Sequence, residues 1–235
     1  MLGVIAGYDE LDPATVDTPV PDYKREFRTQ ASKLRLGVLR TPFFDSLDPE
    51  IAKAVTAAVE VLRKLTTTVE EIRLPSTNIP LDEIWIRVRS VEAYTYHSPW
   101  IAESPEEYQA ATRQRIIQNF ADIKAPTYVQ ARRELDLLRR DIKKVFGTVD
   151  LLITPTLPSP PVLIAQGADP TAVSIRNTSP FNTLGLPTIS VPCGFTISGL
   201  PIGLQVGAPF AESTVLALAH AYEQATEWHR RGPRV

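Results

Sequence analysis

Arg176-Asn177-Thr178-Ser179-Pro180-Phe181-Asn182-Thr183-Leu184-Gly185-Leu186-Pro187 runs into Thr188-Ile189-Ser190-Val191-Pro192-Cys193-Gly194-Phe195 and then into Gly199-Leu200-Pro201-Ile202-Gly203-Leu204-Gln205-Val206. The last two runs are short, apolar and punctuated by proline and glycine, the texture of strands, and Ser198-Gly199 between them suits a hairpin turn. Leu151-Leu152-Ile153-Thr154-Pro155 adds a third such run. Their near-continuous apolar character predicts one sheet, buried on both faces, built from 151–155, 188–195 and 202–206. The stretch that leads into the second run sets hydroxyl and amide side chains beside small residues on a tight loop. Two readings of that loop stay open: its polar groups face a concave pocket, or they serve the backbone of a Pro/Gly-rich connection.

Working outward, a closing helix is expected from Glu212 to about Trp228, with Val215, Leu218, Ala219, Tyr222 and Ala225 on one face. Upstream, Leu34-Arg35-Leu36-Gly37-Val38-Leu39 alternates as a half-buried strand. Asp48 offers an N-cap and Pro49 a first helical position, and Ile51, Val55, Val59, Leu62 and Leu65 follow at helical spacing. Thr66 to Leu74 is β-branched, with Val69, Ile72 and Leu74 turned to a core. Residues 34–74 therefore read as strand–helix–strand. Residues 80–146 read as helical, best over Pro126–Phe146, where Tyr128, Leu135, Leu138, Ile142 and Val145 form one apolar stripe. The opposite face mixes charge signs, with Asp136 four residues before Arg140, and reads as solvated. Met1 to Ala6 reads as the last turns of a helix, followed by a Pro-rich connector. The fold class is α/β, a mixed β-sheet flanked by helices with a helical annex. The chain is expected to be one domain: 1–33 connector, 34–74 strand–helix–strand, 80–146 annex, 150–235 sheet and closing helix.

The 235 residues are 43% hydrophobic and 22% charged with a net charge of −2, enough to bury one sizeable core and unlike a disordered chain. Lys and Arg are spread through the chain, so there is no basic footprint for a phosphate backbone, and no nucleic-acid partner is expected. No run approaches the roughly 18 apolar residues of a membrane span. The opening residues lack the basic region of a signal peptide. A cytoplasmic protein without a membrane partner is expected. The single cysteine, Cys193, lies in an apolar run and reads as a core residue. Gly-x-Ser-x-Gly, His-Glu-x-x-His, P-loop and Gly-x-Gly-x-x-Gly patterns are absent. His97, His220 and His229 lack ligand spacing, so neither metal nor cofactor is expected.

The quoted loop and strands resemble the C-terminal signature of the amidase-signature family: a Phe-Asn-x-x-Gly-x-Pro loop, an Ile-Ser-Val-Pro-x-Gly-Phe strand and a Gly-Leu-Pro-x-Gly-Leu-Gln strand, in this order. Asp150 to Thr156 resembles the family's preceding strand, Tyr128 to Arg132 its long helix, Ala219 to Thr226 its final helix, and Val4 to Pro13 the segment beyond its catalytic core. The resemblance covers essentially the whole chain. It implies the C-terminal half of a mixed-sheet amide hydrolase whose nucleophilic serine, second serine and lysine lie in a Gly/Ser-rich stretch upstream of Gly7-Tyr8-Asp9. No catalytic residue is therefore assigned within this chain, and the isolated chain is expected to be inactive. Ser179 precedes a proline and Ser190 sits in a strand, neither with a lysine close in sequence.

The resemblance also assigns a substrate wall. Thr178, Phe181 and Asn182 match the loop that approaches the acyl part of the substrate, with Arg176 beside them, and Arg115 matches an arginine that some members use nearby. The amidotransferase A subunits of the family carry an acidic residue shortly before this loop to hold glutamine's ammonium. Val173, Ser174 and Ile175 stand there instead, which disfavours glutamine. A small or aryl amide is the expected substrate, and Trp85, Tyr94, Tyr96 and Trp100 serve either it or a helical core. The expected partners are that amide and either the missing N-terminal half or further copies of the chain, because unpaired strand edges invite association. Two alternatives stand beside the amidase: an amidotransferase A-subunit fragment working in a complex, and a non-catalytic binding module.

Overall fold

The computed structural model describes residues 1–26, 31–75, 80–163, 175–209 and 211–232. Its contacts form two units: Met1–Arg73, Phe146–Asn177 and Leu186–Val235 make the first, Leu74–Val145 and Thr178–Gly185 the second. In chain order the elements are α1 (Leu2–Ile5), α2 (Tyr23–Glu26), β1 (Arg35–Leu39), α3 (Pro49–Leu65), β2 (Thr68–Ile72), α4 (Leu81–Glu103), α5 (Ala110–Ala121), α6 (Ala125–Val145), β3 (Leu151–Pro155), α7 (Ser179–Leu184), β4 (Thr188–Phe195), β5 (Pro201–Gly207) and α8 (Glu212–Gln224). The chain is thus α/β with a mixed sheet, as the residue pattern implies.

In the first unit the described strands form one sheet in the order β2-β1-β3-β5-β4. Leu36 pairs in parallel with Val69 on one side and with Leu151 on the other. Val206 pairs antiparallel with Ile153 and with Ile189. The three expected runs therefore share one sheet. Two expectations about burial are corrected. β1, expected to be half-buried, lies between β2 and β3, and Leu36, Gly37, Val38 and Leu39 are all buried. β4, expected to be buried on both faces, is the last strand of the order, and its Thr188 and Ser190 are exposed.

One face of this sheet carries the core. Leu36, Val38, Leu151, Ile153, Val191, Cys193, Ile202, Leu204 and Val206 pack with Ile51, Val55, Val59 and Leu62 of α3 and with Val215, Leu218 and Tyr222 of α8. Each large apolar side chain so buried is worth roughly 2 kcal/mol relative to exposure. α3 begins as expected, with Pro49 at its first position and the Asp48 carboxylate accepting from the Glu50 N–H at 2.8 Å, which satisfies one of the free donors of the first turn. Helix and sheet approach so closely at Gly194 that an added Cβ would come within 2.9 Å of the Ala54 Cβ. α8 stops at Gln224 rather than running to Trp228. The Thr226 hydroxyl donates to the Tyr222 carbonyl at 2.9 Å, and a separate turn over Trp228–Arg230 brings the indole beside Phe195, ring centres 6.2 Å apart. The sheet's parallel end is tied by Asp150. Its carboxylate accepts from the Arg35 backbone N–H at 2.7 Å and from the guanidinium at 2.8 Å, and those Arg35 bonds hold the carboxyl below its ordinary range.

The second unit is helical. Ile84 and Val88 of α4, Ala131, Leu135, Leu138 and Ile142 of α6, and Phe181 and Leu184 of α7 are buried. The Tyr94 and Phe120 rings stack 3.9 Å apart between α4 and α5. Of the four aromatic residues open to either a core or a substrate role, Trp85 and Tyr94 are half-buried, whereas Tyr96 (65%) and Trp100 (46%) are exposed. The apolar stripe of α6 runs as expected at its centre. On the charged side Arg140 turns to Asp141, 3.9 Å away, and Lys144 donates to the same carboxylate at 2.8 Å.

Candidate functional site

The loop that decides the fold is anchored in the first unit by three buried polar side chains. Asn177 is fully buried and its amide donates to the carbonyls of Phe43 (3.1 Å) and Pro155 (3.0 Å). Gln205, on β5, donates through Nε2 to the Thr154 hydroxyl and to the Asn177 carbonyl, both at 3.0 Å. Buried amide groups cost free energy unless bonded, and these donors are spent on backbone and neighbour. At Asn177 and Gln205, then, the backbone-serving reading of the loop holds. Arg176 also works on the protein itself, donating to the Asp45 carbonyl at 2.7 Å and to Asn177 Oδ1 at 3.4 Å.

In the second unit Thr178, Phe181 and Asn182 come together on or beside α7. Pro180 in its first turn and Gly185 at φ 71° bound this short helix, the N-terminal proline and C-terminal glycine expected of helix ends. The Thr183 hydroxyl donates to the Ser179 carbonyl at 2.9 Å, and the Arg139 guanidinium donates to the Thr183 carbonyl at 3.1 Å, placing a cation at the helix C-terminus. Phe181 is buried, Thr178 half-buried and Asn182 exposed. Arg115 is exposed on α5. Of the segment where an acidic residue would hold an ammonium group, Ile175 is exposed, while Val173 and Ser174 lie outside the described residues.

Sequence reasoning did not find a cleft of about 310 Å³ in the first unit. Thr156, Ser190 and Gly203 line it, together with Ile51, Leu157 and the rings of Pro160, Pro161, Pro192 and Pro201. None of Thr178, Phe181, Asn182, Arg176 and Arg115 lines it. The hydroxyls of Thr156 and Ser190 are 2.7 Å apart, in hydrogen-bond contact. A Cβ at position 203 would fall 2.5 Å from Ser190 Oγ and 2.7 Å from Thr156 Oγ1, so only glycine leaves room for the pair. The available signal was strand parity: Gly203 and Gln205 alternate with the core residues Ile202, Leu204 and Val206, so both point to the other face. Cys193 is buried in the core, and that burial pushes its thiol up to about 12, which disfavours the thiolate. Among the described residues no cluster of His, Cys, Asp or Glu side chains is suited to hold a metal ion.

The family model described as Amidase matches residues 1–216. An amidase from Pseudomonas putida is 36% identical over 245 residues, covering 100% of this chain and 52% of that protein. The A subunit of a glutamyl-tRNA(Gln) amidotransferase from Moorella thermoacetica is 34% identical over 261 residues, covering 100% of this chain and 53% of its own length. The chain thus spans about half the length of the curated relatives it matches. Among solved structures, 6-aminohexanoate cyclic dimer hydrolase superposes with a TM-score of 0.82 at 23% identity over 99% of this chain and 53% of that one. A bacterial aryl acylamidase of the amidase signature enzymes gives 0.79 at 22% identity over 97% and 51%. At these identities the likeness is one of fold.

Proposed function

This chain belongs to the amidase family, and from that premise we propose that it forms the substrate-binding half of a serine-dependent amide-bond hydrolase acting on a small or aryl amide. One observation carries the reading: the likeness to amidases runs the whole length of this chain yet takes in only about half of theirs. The remaining half of such an enzyme supplies the nucleophilic serine, the second serine and the lysine that the family resemblance implies. In this reading Thr178, Phe181 and Asn182 form the acyl-side wall, presented by α7. Arg115 stands on α5 as a further contact, and Arg176 stands at the foot of the loop, holding the Asp45 carbonyl. The protein works in the cytoplasm. Among the described residues no helix is long and apolar enough to cross a membrane. The outer edge of β4, unpaired among the described strands, is covered by the catalytic half or by a second copy.

An amidotransferase A-subunit role is the second reading, favoured by the 34% identity to the Moorella thermoacetica protein. It is weakened by the absence of an acidic residue at Val173, Ser174 and Ile175.

Serine-based amide cleavage needs a nucleophile in reach of a base and donors aimed at the developing oxyanion. A fluorophosphonate probe should therefore leave the isolated chain unlabelled, and adding the upstream half of a family member in trans should restore labelling. Stoichiometric labelling of Ser179 or Ser190 in the isolated chain, with aryl-amide turnover abolished by replacing that serine, would refute the division of labour.

A further inference from the structure

We propose that the outward face of α4 is the contact surface of a dimer of this chain, two copies of the helix lying antiparallel and meeting along Ile86, Arg89, Ala93, Tyr96, Trp100 and Glu103. The surface belongs to the second unit and is independent of what covers β4.

The sequence spacing is that of a two-helix seam. Ile86, Ala93 and Trp100 recur every seven residues, and Arg89, Tyr96 and Glu103 each stand three residues further on, the two core positions of a heptad pattern. The structure turns this stripe away from the interior of its own unit. Ile84 and Val88 of α4 are buried, whereas Ile86, Arg89, Tyr96, Trp100 and Glu103 are exposed and Ala93 is half-buried. Beyond Ser90 α4 has no buried residue, and α5 has none at all. A helix takes most of its stability from a packed apolar face, so this end of the unit lacks a layer. The Tyr96 and Trp100 rings meet at a steep angle with centres 4.8 Å apart. They form one aromatic block of the kind that anchors protein interfaces. α4 runs through Pro99 to Glu103, the Ser98 hydroxyl donating at 3.4 Å to the Thr95 carbonyl that the proline leaves without an N–H.

What selects a second copy is that the stripe is its own complement when reversed. Antiparallel alignment sets Trp100 against Arg89 of the second copy, Tyr96 against Ala93, and Ile86 against the aliphatic stem of Glu103, and the two-fold axis repeats each layer. A guanidinium over an indole is a favourable pair, and Arg89 already stands over one indole, 5.5 Å from the ring centre of Trp85. The small Ala93 leaves the hollow that the tyrosine ring fills. Arg89 of one copy also comes within a turn of Glu103 of the other, opposite charges facing across the seam. A parallel pair would instead set Arg89 against Arg89 and Glu103 against Glu103, which like-charge repulsion disfavours. The seam from Ile86 to Glu103 is about 25 Å long, small among protein interfaces, so the dimer is a reversible one.

The test is sedimentation equilibrium of the 235-residue chain from roughly 1 to 100 μM, the range in which a small interface associates. A reversible monomer–dimer equilibrium is expected, and Trp100→Ala should raise its Kd about tenfold, since aromatic anchors carry most of the energy of such contacts. Arg89→Glu and Glu103→Arg should each weaken self-association, because each sets like charges across the seam. An equimolar mixture of these two variants should dimerise at least as tightly as the parent, a rescue that neither misfolding nor contact through another surface produces. A chain that stays monomeric, a Kd unchanged by Trp100→Ala, or a mixture no tighter than its components would overturn the proposal. Dissociation of the dimer on adding the upstream half of a family member would also overturn it and assign the stripe to that half. The hydrolase reading stands or falls on serine labelling, which none of these measurements touches.

Discussion

The two faces of the sheet are written in the same strands, one residue apart. On β5, Ile202, Leu204 and Val206 enter the core under α3 and α8. Gly203 and Gln205, between them, serve the cleft and the buried polar cluster. On β3, Leu151 and Ile153 pack into that core, whereas Thr154 bonds to Gln205 and Thr156, just past the strand, bonds to Ser190. The helix-covered face is a continuous apolar layer, where stability is generated. The other face spends hydrogen-bonding groups on holding loops, and it meets the apolar layer at the cleft, which Ser190 and Gly203 line from one side and Ile51 and Ile202 from the other. The comparison teaches that strand parity, more than overall hydrophobicity, divides the apolar core residues from the hydrogen-bonding ones in these strands.

The comparison can be broken first on the apolar face. Leu204 is fully buried, and Leu204→Ala should cost about 3 kcal/mol, a transfer loss plus a cavity. That is a large share of a typical domain's stability, readable as a drop in the midpoint of urea unfolding. On the polar face, Gln205→Met removes two donated bonds while keeping the shape. It should cost roughly 1–3 kcal/mol by leaving the Asn177 carbonyl without its donor, and hydrogen exchange should quicken at the Phe43 and Asn177 amides before it does in α3. A loss at Gln205 equal to that at Leu204 would erase the distinction between the faces. The smallest effect is expected at the cleft. The double variant Ser190→Ala, Thr156→Val should stay within about 0.5 kcal/mol of the parent, because Ser190 is exposed and the hydroxyls bond mainly to each other. A loss above that would show the pair to be a stability device.

Much of the first unit is legible in the residues. Asp48-Pro49 and the spacing of Ile51, Val55, Val59 and Leu62 specify α3 locally, and the apolar runs of β3, β4 and β5 specify strands locally. What local pattern cannot report is the neighbour. β1 reads as half-buried because Arg35 interrupts it, and only its pairing with β3 closes its second edge. Asn177 is visible as a polar residue in a tight loop, but its acceptor on Phe43 lies 134 residues away. The Thr156–Ser190 pair is hidden for the same reason, since each residue alone reads as an ordinary strand hydroxyl. In the helical unit, Tyr96 and Trp100 sit at positions that a helical core could claim, yet α4 turns them outward. The Phe-Asn loop draws attention through its resemblance to a known signature, which marks its residues without giving their partners.

The parallel pairing of β1 with β3 has a temporal consequence. Arg35 and Asp150, which tie these strands, are 115 residues apart, and at the roughly 5–20 residues per second of synthesis the second follows the first by roughly 6–23 s. During that interval β1, β2 and α3 can meet, but the central edge of β1 has no partner and the apolar face of α3 has only part of its sheet. A nascent chain in this condition presents the open edge and bare apolar surface on which aggregation feeds. The arrival of the Asp150 segment closes the central edge of β1, and the exposure ends only when β5 pairs with β3 and β4, β5 and α8 complete the layer over α3.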